Sequence, residues 1–384
     1  MNKKNLVIVH GGAPTAVMNG SLAGAVREAQ KHGEVGRILG ARHGTGGLMK
    51  EDFIDLTDLT AKQLTRLENT PASAIGTSRT PLEAAEYQRM RDVLLKNDVG
   101  YVLFNGGNGT MDACGHTHAV CADAGIRVVG IPKTIDNDIG VTDHAPGFGS
   151  AARYIAATTA DIAVDVRALP IHVCVIEAMG RNAGWITAAA ALAKDSGAGA
   201  DLLYPPERPF DEEEFLDLCG SLFTAQRGVV VVASEGLRDK VGQPIVPPIF
   251  KTGRATYFGD VSAHLSMLVI KRLGIKARSE KPGIAGRSAL ALRSQTDAAE
   301  AVEAGAQAAR RAIAGESGVM VTLERAGGSE YLCTFGTTAI ENVMLDEKKM
   351  PEAYLTADHG VSEDFLSWCR PLIGDPLQRF LTLQ

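Results

Sequence analysis

Residues 128–138 read Val-Val-Gly-Ile-Pro-Lys-Thr-Ile-Asp-Asn-Asp, so an apolar run passes directly into one cation and two carboxylates. The apolar part predicts a buried strand at 128–131, and Lys133, Asp136 and Asp138 follow the end of that strand. Open α/β sheets bind their ligands at the carboxyl ends of parallel strands. The stretch therefore predicts an α/β fold with charged chemistry at one strand end.

Two glycine-rich turns also follow predicted strands. Residues 101–104 lead into Asn-Gly-Gly-Asn-Gly-Thr at 105–110, and residues 6–10 lead into Gly-Gly-Ala-Pro-Thr at 11–15. Backbone N–H groups in such turns can lie against phosphate, although the spacing matches neither the dinucleotide-binding motif nor the P-loop motif. Thr110 is suited to cap the next helix. We assign phosphate binding to Gly11, Gly12, Gly107, Asn108, Gly109 and Thr110.

The two carboxylates could serve catalysis or a turn. In an extended segment Asp136 and Asp138 would point to one side, and a carboxylate beside Lys133 stays ionised and can accept a proton. An Asx-rich turn would explain Asn137 and Asp138, but not Lys133 or Thr134. These residues therefore favour proton transfer, and together with the glycine turns they indicate phosphoryl transfer.

Charged residues follow other predicted strands. Strand 172–177 ends before Gly180 and Arg181, and strand 229–233 ends before Glu235, which suits a sugar hydroxyl. A guanidinium suits phosphate, although a lone loop arginine such as Arg79 is usually solvated surface. Arg278 and Arg287 are ambiguous from local sequence alone.

Size and composition limit the class of protein. The 384 residues favour two domains, and 45% hydrophobic with 22% charged residues is typical of a soluble globular protein. A net charge of −6 argues against a nucleic-acid partner, and no apolar segment approaches the roughly 20 residues that cross a bilayer. Six scattered cysteines without a C-x-x-C pair fit a reducing cytoplasm, so we expect a cytoplasmic protein without a membrane partner.

Strand and helix patterns alternate along the chain, which predicts βαβ units with parallel sheets. Hinges between domains are predicted at 147–150 and around 283–286, and the aromatic tail is expected to dock. The predicted strands are 6–10, 37–41, 101–104, 128–131, 172–177, 229–233 and 319–323. The predicted helices are 20–32, 60–68, 81–97, 111–124 and 297–314.

These motifs together resemble the 6-phosphofructokinases, a family with ATP-dependent and pyrophosphate-dependent members, over nearly the whole chain. The resemblance rests on the motifs at 11–19, 76–79, 106–110, 132–138, 179–185 and 234–236, and Arg-Pro-Leu-Ile-Gly at 370–374 is similar to the pyrophosphate-type lineage. It implies two Rossmann-like three-layer domains with mostly parallel sheets. Residues 1–147 with about 287–345 would form the phosphoryl-donor domain, 148–286 the sugar-phosphate domain and 346–384 a docking tail.

The resemblance also implies roles for individual residues. Asp136 would take the proton from the C1 hydroxyl of the sugar, with support from Asp138. Arg79 and Arg181 would hold the charge on the transferred phosphoryl group. Arg278 and Arg287 would reach the 6-phosphate of the sugar, one of them from a neighbouring subunit, which implies a homodimer or homotetramer. The implied substrate residues are Thr134, Asp136, Asp138, His172, Met179, Gly180, Arg181, Glu235, Arg278 and Arg287, and the implied catalytic ones are Asp136, Asp138, Lys133, Thr134 and Arg181.

Two departures from the family pattern concern the donor. Pyrophosphate enzymes pair Lys133 with an aspartate at 109, in the space of the α-phosphate of ATP, whereas Gly109 leaves that space open and favours ATP. ATP enzymes hold Mg²⁺ with an aspartate at 108, where Asn108 keeps only an oxygen ligand. We expect Mg²⁺ as cofactor and ATP, or else pyrophosphate, as donor.

A third departure concerns the acceptor. Typical members have an arginine in place of His172 and a histidine in place of Ile284 around the 6-phosphate. Losing one charge-assisted hydrogen bond costs about 1.5–3 kcal/mol, roughly ten- to hundredfold in binding. Fructose 6-phosphate remains the expected acceptor, with a ketose bearing another C6 anion, such as a sulfonate, as the rival. A non-catalytic nucleotide or sugar-phosphate sensor is the remote alternative, since a sensor needs no general base.

Overall fold

Strands and helices alternate along the chain, as the sequence predicts. The computed structural model describes residues 3–252, 255–328, 330–344, 347–381 and 383. The strands are β1 (Lys4–His10), β2 (Val35–Ala41), β3 (Phe53–Asp55), β4 (Val99–Gly106), β5 (Arg127–Pro132), β6 (Val173–Ala178), β7 (Leu202–Tyr204), β8 (Val229–Ser234), β9 (Pro248–Thr252), β10 (Ala255–Phe258), β11 (Ala277–Glu280), β12 (Val319–Arg325) and β13 (Cys333–Ala339).

The helices differ widely in length. They are α1 (Met18–Ala29), α2 (Thr45–Leu48), α3 (Ala61–Glu68), α4 (Ala84–Lys96), α5 (Asn108–Cys121), α6 (Phe148–Ala168), α7 (Trp185–Ala189), α8 (Glu212–Gln226), α9 (Val261–Leu268), α10 (Ala285–Ser288), α11 (Gln295–Ile313) and α12 (Glu363–Cys369). Among the described residues, no helix is both long and apolar enough to pass through a bilayer.

The chain separates into two units. The first comprises Met1–Phe148 and Ser288–Lys348, and the second comprises Gly149–Arg287 and Lys349–Gln384. The chain thus passes between the units at 148/149, 287/288 and 348/349, and the segment after Lys348 groups with the second unit. This division does not test the predicted roles of the two domains in binding the phosphoryl donor and the sugar phosphate, which stay predictions.

The first unit is built on a seven-stranded sheet. Its order is β13-β12-β5-β4-β1-β2-β3, and all neighbours pair in parallel except the antiparallel strands at the two edges. Side chains of β1 alternate between two cores: Val7 and Val9 pack with α4 and α5, whereas Leu6 and Ile8 pack with α1 and α11. Because helices cover both faces, the central strands read as continuous apolar runs.

The second unit has a smaller sheet. Its order is β11-β6-β8-β7, with all strands parallel, and α8 and α9 cover one core face. In the same unit the rings of Tyr354, Phe365 and Trp368 pack around Trp185 of α7. The predicted α/β class with mostly parallel sheets is confirmed.

The chain passes between the units at 148/149, inside the predicted hinge at 147–150, and α6, a helix of 21 residues, begins there. Two local predictions were wrong. Helix α5 begins at Asn108 with Gly107 as its N-cap, so Thr110 lies inside the first turn and does not cap it. His172 precedes β6 and does not belong to it.

Candidate functional site

Three strand ends meet in the first unit. Strands β5, β4 and β1 are neighbours and run parallel, so the residues after them share one edge of the sheet. The backbone N–H of Gly11 donates to Asn105 O at 2.9 Å, and the N–H of Lys133 donates to Gly106 O at 3.0 Å. The structure therefore brings both glycine turns and Lys133 together, as the sequence predicts.

Thr110 fills the space between the two glycine turns. A Cβ atom added to Gly11 would lie 2.2 Å from Thr110 Oγ1, and one added to Gly106 would lie at the same distance. Distances below 3 Å do not occur for real Cβ atoms, so both positions require glycine while Thr110 stays in place. Gly109 is different, because no atom lies within 4 Å of its added Cβ.

Lys133 carries a positive charge beneath the turn after β1. It is only 3% exposed, and its Nζ donates to Ala13 O at 2.7 Å. Gly12 has φ +75°, and its added Cβ would lie 3.5 Å from that Nζ. Burial, reinforced by Lys133, lowers the pKa of His10 to about 3, so His10 is neutral at physiological pH.

The segment that carries Arg79 lies along the same turn. Gly12 N–H donates to Ser78 O at 3.0 Å, and Thr77 Oγ1 donates to Gly12 O at 2.8 Å. His10 Nδ1 lies 2.7 Å from Ser73 Oγ, which in turn donates to Gly76 O. Arg79 is exposed. Sequence reasoning missed His10, although a histidine that ends an aliphatic strand is a visible signal.

Thr134 organises the two carboxylates after β5. Its Oγ1 donates to Asp138 Oδ1 at 3.0 Å and accepts from the N–H of Asp136 at 3.1 Å. Asn137 lies between them with φ +52°. The expected extended segment is therefore wrong: Asp136 and Asp138 lie in a bend, and both are half-buried.

Asn108 connects the β4 turn to Asp138. Its Nδ2 donates to Asp138 Oδ2 at 3.0 Å and to Asp138 O at 3.2 Å. Its Oδ1 is buried and has no hydrogen-bond partner among the described residues. An unpaired amide oxygen near a carboxylate fits Mg²⁺, which prefers oxygen ligands. Burial, with a contribution from Glu347, raises the pKa of Asp138, and this outweighs the opposing effect of Lys133.

In the second unit, the ends of β6 and β8 interlock. Glu235 N–H donates to Ala178 O at 2.9 Å, and Ser234 Oγ donates to Gly180 O at 2.7 Å. A Cβ added to Gly236 would lie 1.8 Å from Arg181 O. The two turns that carry Arg181 and Glu235 are therefore neighbours, as parallel pairing of their strands requires.

Arg181 and Glu235 influence one another electrostatically. The guanidinium carbon of Arg181 lies 5.2 Å from the ring centre of Phe258, within the range of a cation–π contact. Burial raises the pKa of Glu235, although the charge of Arg181 opposes this shift. Met179, at the end of β6, is half-buried.

The remaining predicted residues lie near the open edge of this sheet. Arg278 is exposed on the edge strand β11, and His172, 2% exposed, precedes the neighbouring strand β6. Burial, followed by the charges of Arg278 and Lys276, lowers the pKa of His172. Arg287 is half-buried in α10, and Ile284 is 67% exposed.

Comparison with known proteins agrees with this geometry. The Phosphofructokinase family model matches residues 5–312, so the chain belongs to the phosphofructokinase family. A pyrophosphate–fructose 6-phosphate 1-phosphotransferase of Rhodospirillum rubrum is 36% identical over 388 residues, covering 97% of this chain and 95% of that protein. A sulfofructose kinase of Alkalicoccus urumqiensis is 30% identical, covering 97% and 96%.

A solved structure shows the same similarity. The crystal structure of pyrophosphate-dependent phosphofructokinase from Nitrosospira multiformis has 32% identity and a TM-score of 0.89, covering 99% of this chain and 94% of that chain. The predicted family, its pyrophosphate-type lineage and the fold are confirmed. The predicted enzyme class, a phosphotransferase with an alcohol group as acceptor, is also confirmed.

Proposed function

We propose that this enzyme transfers a phosphoryl group to the C1 hydroxyl of fructose 6-phosphate, or of a close ketose with an anion at C6. The observation that carries the proposal is the half-buried Asp136 in the bend that follows β5, a bend that Asn108 of the glycine turn contacts through Asp138. A base next to an anion-binding turn suits phosphoryl transfer, which depends on positioning and charge neutralisation. The first unit would bind the donor and the second unit the acceptor.

Asp136 would act as general base. Its backbone N–H donates to Thr134 Oγ1, which also donates to Asp138, so the backbone that carries the carboxylate is held in place before the substrate arrives. Asp136 would accept the C1 hydroxyl proton while the C1 oxygen forms a bond to phosphorus and the donor oxygen leaves. Arg79 and Arg181 would offset the charge on the transferred group, and Lys133 would contribute its charge from beneath the turn.

The remaining groups would bind the donor and the sugar. Mg²⁺, when bound, neutralises charge on the donor phosphates, and Asn108 and Asp138 would hold it. Met179 and Glu235 would contact the sugar ring. Gly11, Gly12 and residues 107–110 would bind the donor phosphates.

ATP is our first choice of donor. The open space around Gly109, with no atom within 4 Å of an added Cβ, supports the larger donor. Pyrophosphate is the second candidate, supported by the similarity to pyrophosphate-dependent enzymes. Equal concentrations of the two donors in a coupled assay distinguish them, and Gly109→Asp should depress the use of ATP more than that of pyrophosphate.

The acceptor is tested by a screen of C6-anionic ketoses. Fructose 6-phosphate is expected to react, and a C6-sulfonated fructose is the rival that similarity to a sulfofructose kinase supports. Absence of turnover with every acceptor and both donors would refute the proposal and favour a non-catalytic sensor.

We also propose a homodimer or homotetramer in which Arg278 or Arg287 reaches a neighbouring subunit. Mixing inactive Asp136→Ala with Arg278→Ala protein, at an acceptor concentration too low for Arg278→Ala alone to turn over, tests this arrangement. Reassociated hybrids should recover part of the activity if the two residues act in different subunits. No recovery in proven hybrids would contradict it.

A further inference from the structure

A second group of chemically active side chains lies in the first unit. His144, Glu300 and Cys333 come from three separate segments: the loop before α6, helix α11 and strand β13. Their nearest ligand atoms lie within 4.8 Å of one another. We call these three residues the His144 cluster. None of them has a role in the proposed phosphoryl transfer.

The hydrogen bonds of His144 orient its ring. The residue is 1% exposed, its Nδ1 lies 2.8 Å from Asp143 Oδ2, and its Nε2 lies 2.8 Å from Glu300 Oε2. Tyr331 Oη donates to the other carboxylate oxygen of Glu300 at 2.5 Å. Cys333 is half-buried, whereas His144 and Glu300 are buried.

This combination of atoms suits zinc. An imidazole nitrogen, a carboxylate oxygen and a thiol sulfur are the three ligand types that Zn²⁺ accepts, whereas Mg²⁺ prefers oxygen. Histidines that bind a metal through one nitrogen commonly donate from the other to a carboxylate, as His144 does to Asp143. His144 lies between its two carboxylates and the Cys333 thiol hydrogen-bonds to Glu300, so the three ligand atoms already converge on one another.

The distances require only small movements. Tetrahedral Zn²⁺ with bonds of about 2.0–2.3 Å separates its ligand atoms by roughly 3.3–3.8 Å. Nε2 of His144 and Oε2 of Glu300 would therefore move apart by about half an ångström, and Cys333 Sγ would approach by about 1.0–1.5 Å at most. Cys333 is half-buried, so it is less confined by packing than the buried His144 and Glu300.

We propose that His144 Nε2, a carboxylate oxygen of Glu300 and Cys333 Sγ bind one Zn²⁺ ion, with Asp143 orienting His144. Binding forms Zn–N, Zn–O and Zn–S bonds and releases the proton between His144 and Glu300 and the Cys333 thiol proton to solvent. Two positive charges enter and two leave, so the net charge of this buried cluster does not change. Water or Tyr331 completes the tetrahedron.

The test uses the full-length protein after treatment with a chelator. Equilibrium dialysis against buffered Zn²⁺ in millimolar Mg²⁺ should give one bound equivalent, and zinc should raise the melting temperature because it binds the folded state. Cys333→Ser should weaken binding at least tenfold. His116→Asn is the matched control, because His116 is exposed 3.5 Å from Asp112 on α5 and offers an ordinary surface site; it should bind like wild type.

Cobalt provides a second measurement on the unaltered protein. Co²⁺ at the cluster should give a sulfur-to-cobalt charge-transfer band in the near ultraviolet, and Cys333→Ser should abolish it. Circular dichroism of metal-free Cys333→Ser checks its fold. The site would be overturned if wild type bound no zinc or gave no thiolate band with cobalt. It would also be overturned if wild type and Cys333→Ser bound zinc equally well, or if only His116→Asn lost zinc binding. Phosphoryl transfer with Mg²⁺ alone is independent of all these outcomes.

Discussion

The predicted site residues differ between the two units: those of the first unit are mainly glycines and backbone groups, and those of the second unit are mainly charged side chains. In the first unit, the backbone of Gly11 and Gly106 lies so close to the Thr110 hydroxyl that a Cβ atom would not fit at either glycine. Lys133 is buried beneath them. In the second, charged side chains stand out: Arg278 is exposed on the edge strand, and Glu235 is half-buried with a pKa that burial raises. Gly11 and Gly106 tolerate no added atom, whereas side chains can be exchanged one at a time.

This difference matches the ligands that we propose for each unit. Phosphate is common to both candidate donors, and main-chain N–H groups bind it without regard to the rest of the molecule. The acceptors differ in the anion at C6, which side chains such as His172 and Arg278 can distinguish. We therefore expect substitutions in the first unit to affect all acceptors alike, and substitutions in the second unit to discriminate among acceptors.

The largest expected effect tests the first unit. Asp136→Asn should lower kcat by about 10²- to 10⁴-fold with every acceptor, because it removes the general base. The KM values should change little, since an amide of the same shape remains. Steady-state kinetics with each acceptor measures this. Asp161→Asn, at an exposed position of α6, is the control and should retain wild-type rates; equal losses in the two variants would count against a catalytic role.

The next effect compares two glycines of the same unit. Gly11→Ala should lower kcat/KM for the donor at least tenfold and destabilise the protein by about 1–3 kcal/mol, because its Cβ overlaps Thr110. Gly109→Ala should keep activity with pyrophosphate and stabilise α5 by roughly 0.5–1 kcal/mol, because no protein atom lies near its Cβ. Donor kinetics and chemical denaturation give both values. Similar behaviour of the two variants would disprove the contrast between closed and open positions.

A smaller effect is expected at the open edge of the second unit. Arg278→Met should raise the KM of the acceptor roughly ten- to hundredfold, the cost of one charge-assisted hydrogen bond, and leave the KM of the donor unchanged. The control is Arg272→Met, which removes another exposed arginine that pairs with Glu212 and Glu213. If Arg278→Met raised the KM of the donor alone, the proposal that the second unit binds the acceptor would be wrong.

The smallest effect concerns pH. Because burial and two neighbouring cations lower the pKa of His172, its ring is neutral at physiological pH to a greater extent than an ordinary histidine. With a sulfonated ketose, whose charge does not titrate, acceptor KM should be flat around neutral pH and should fall a fewfold in more acid solution, where the ring gains a proton. His172→Gln should remove the acid limb. The pKa of this histidine is higher in the unfolded chain than in the folded protein. Lowering the pH therefore protonates the unfolded chain first and reduces the free energy of unfolding.

Local sequence patterns predicted a strand or helix correctly where it depends on neighbouring residues in the chain. The apolar runs before Gly11, Asn105 and Pro132 identified three strands, because strands buried on both faces are continuous in sequence. Strand β11 was missed because an edge strand has one partner and its residues Arg278–Glu280 are exposed. Helix α6 was missed because its first residues, Phe-Gly-Ser, have the composition of a turn.

The sequence by itself determined the family, the parallel α/β architecture and the residues that follow each strand, since these depend on the order and spacing of residue types. Only the tertiary structure decided that Thr110 packs between two glycines, that His10 is neutral beside Lys133, and that Cys333 lies near His144 and Glu300. These relations join residues far apart in the chain. Their distances and local dielectric exist only once the sheet has paired and the helices have covered it.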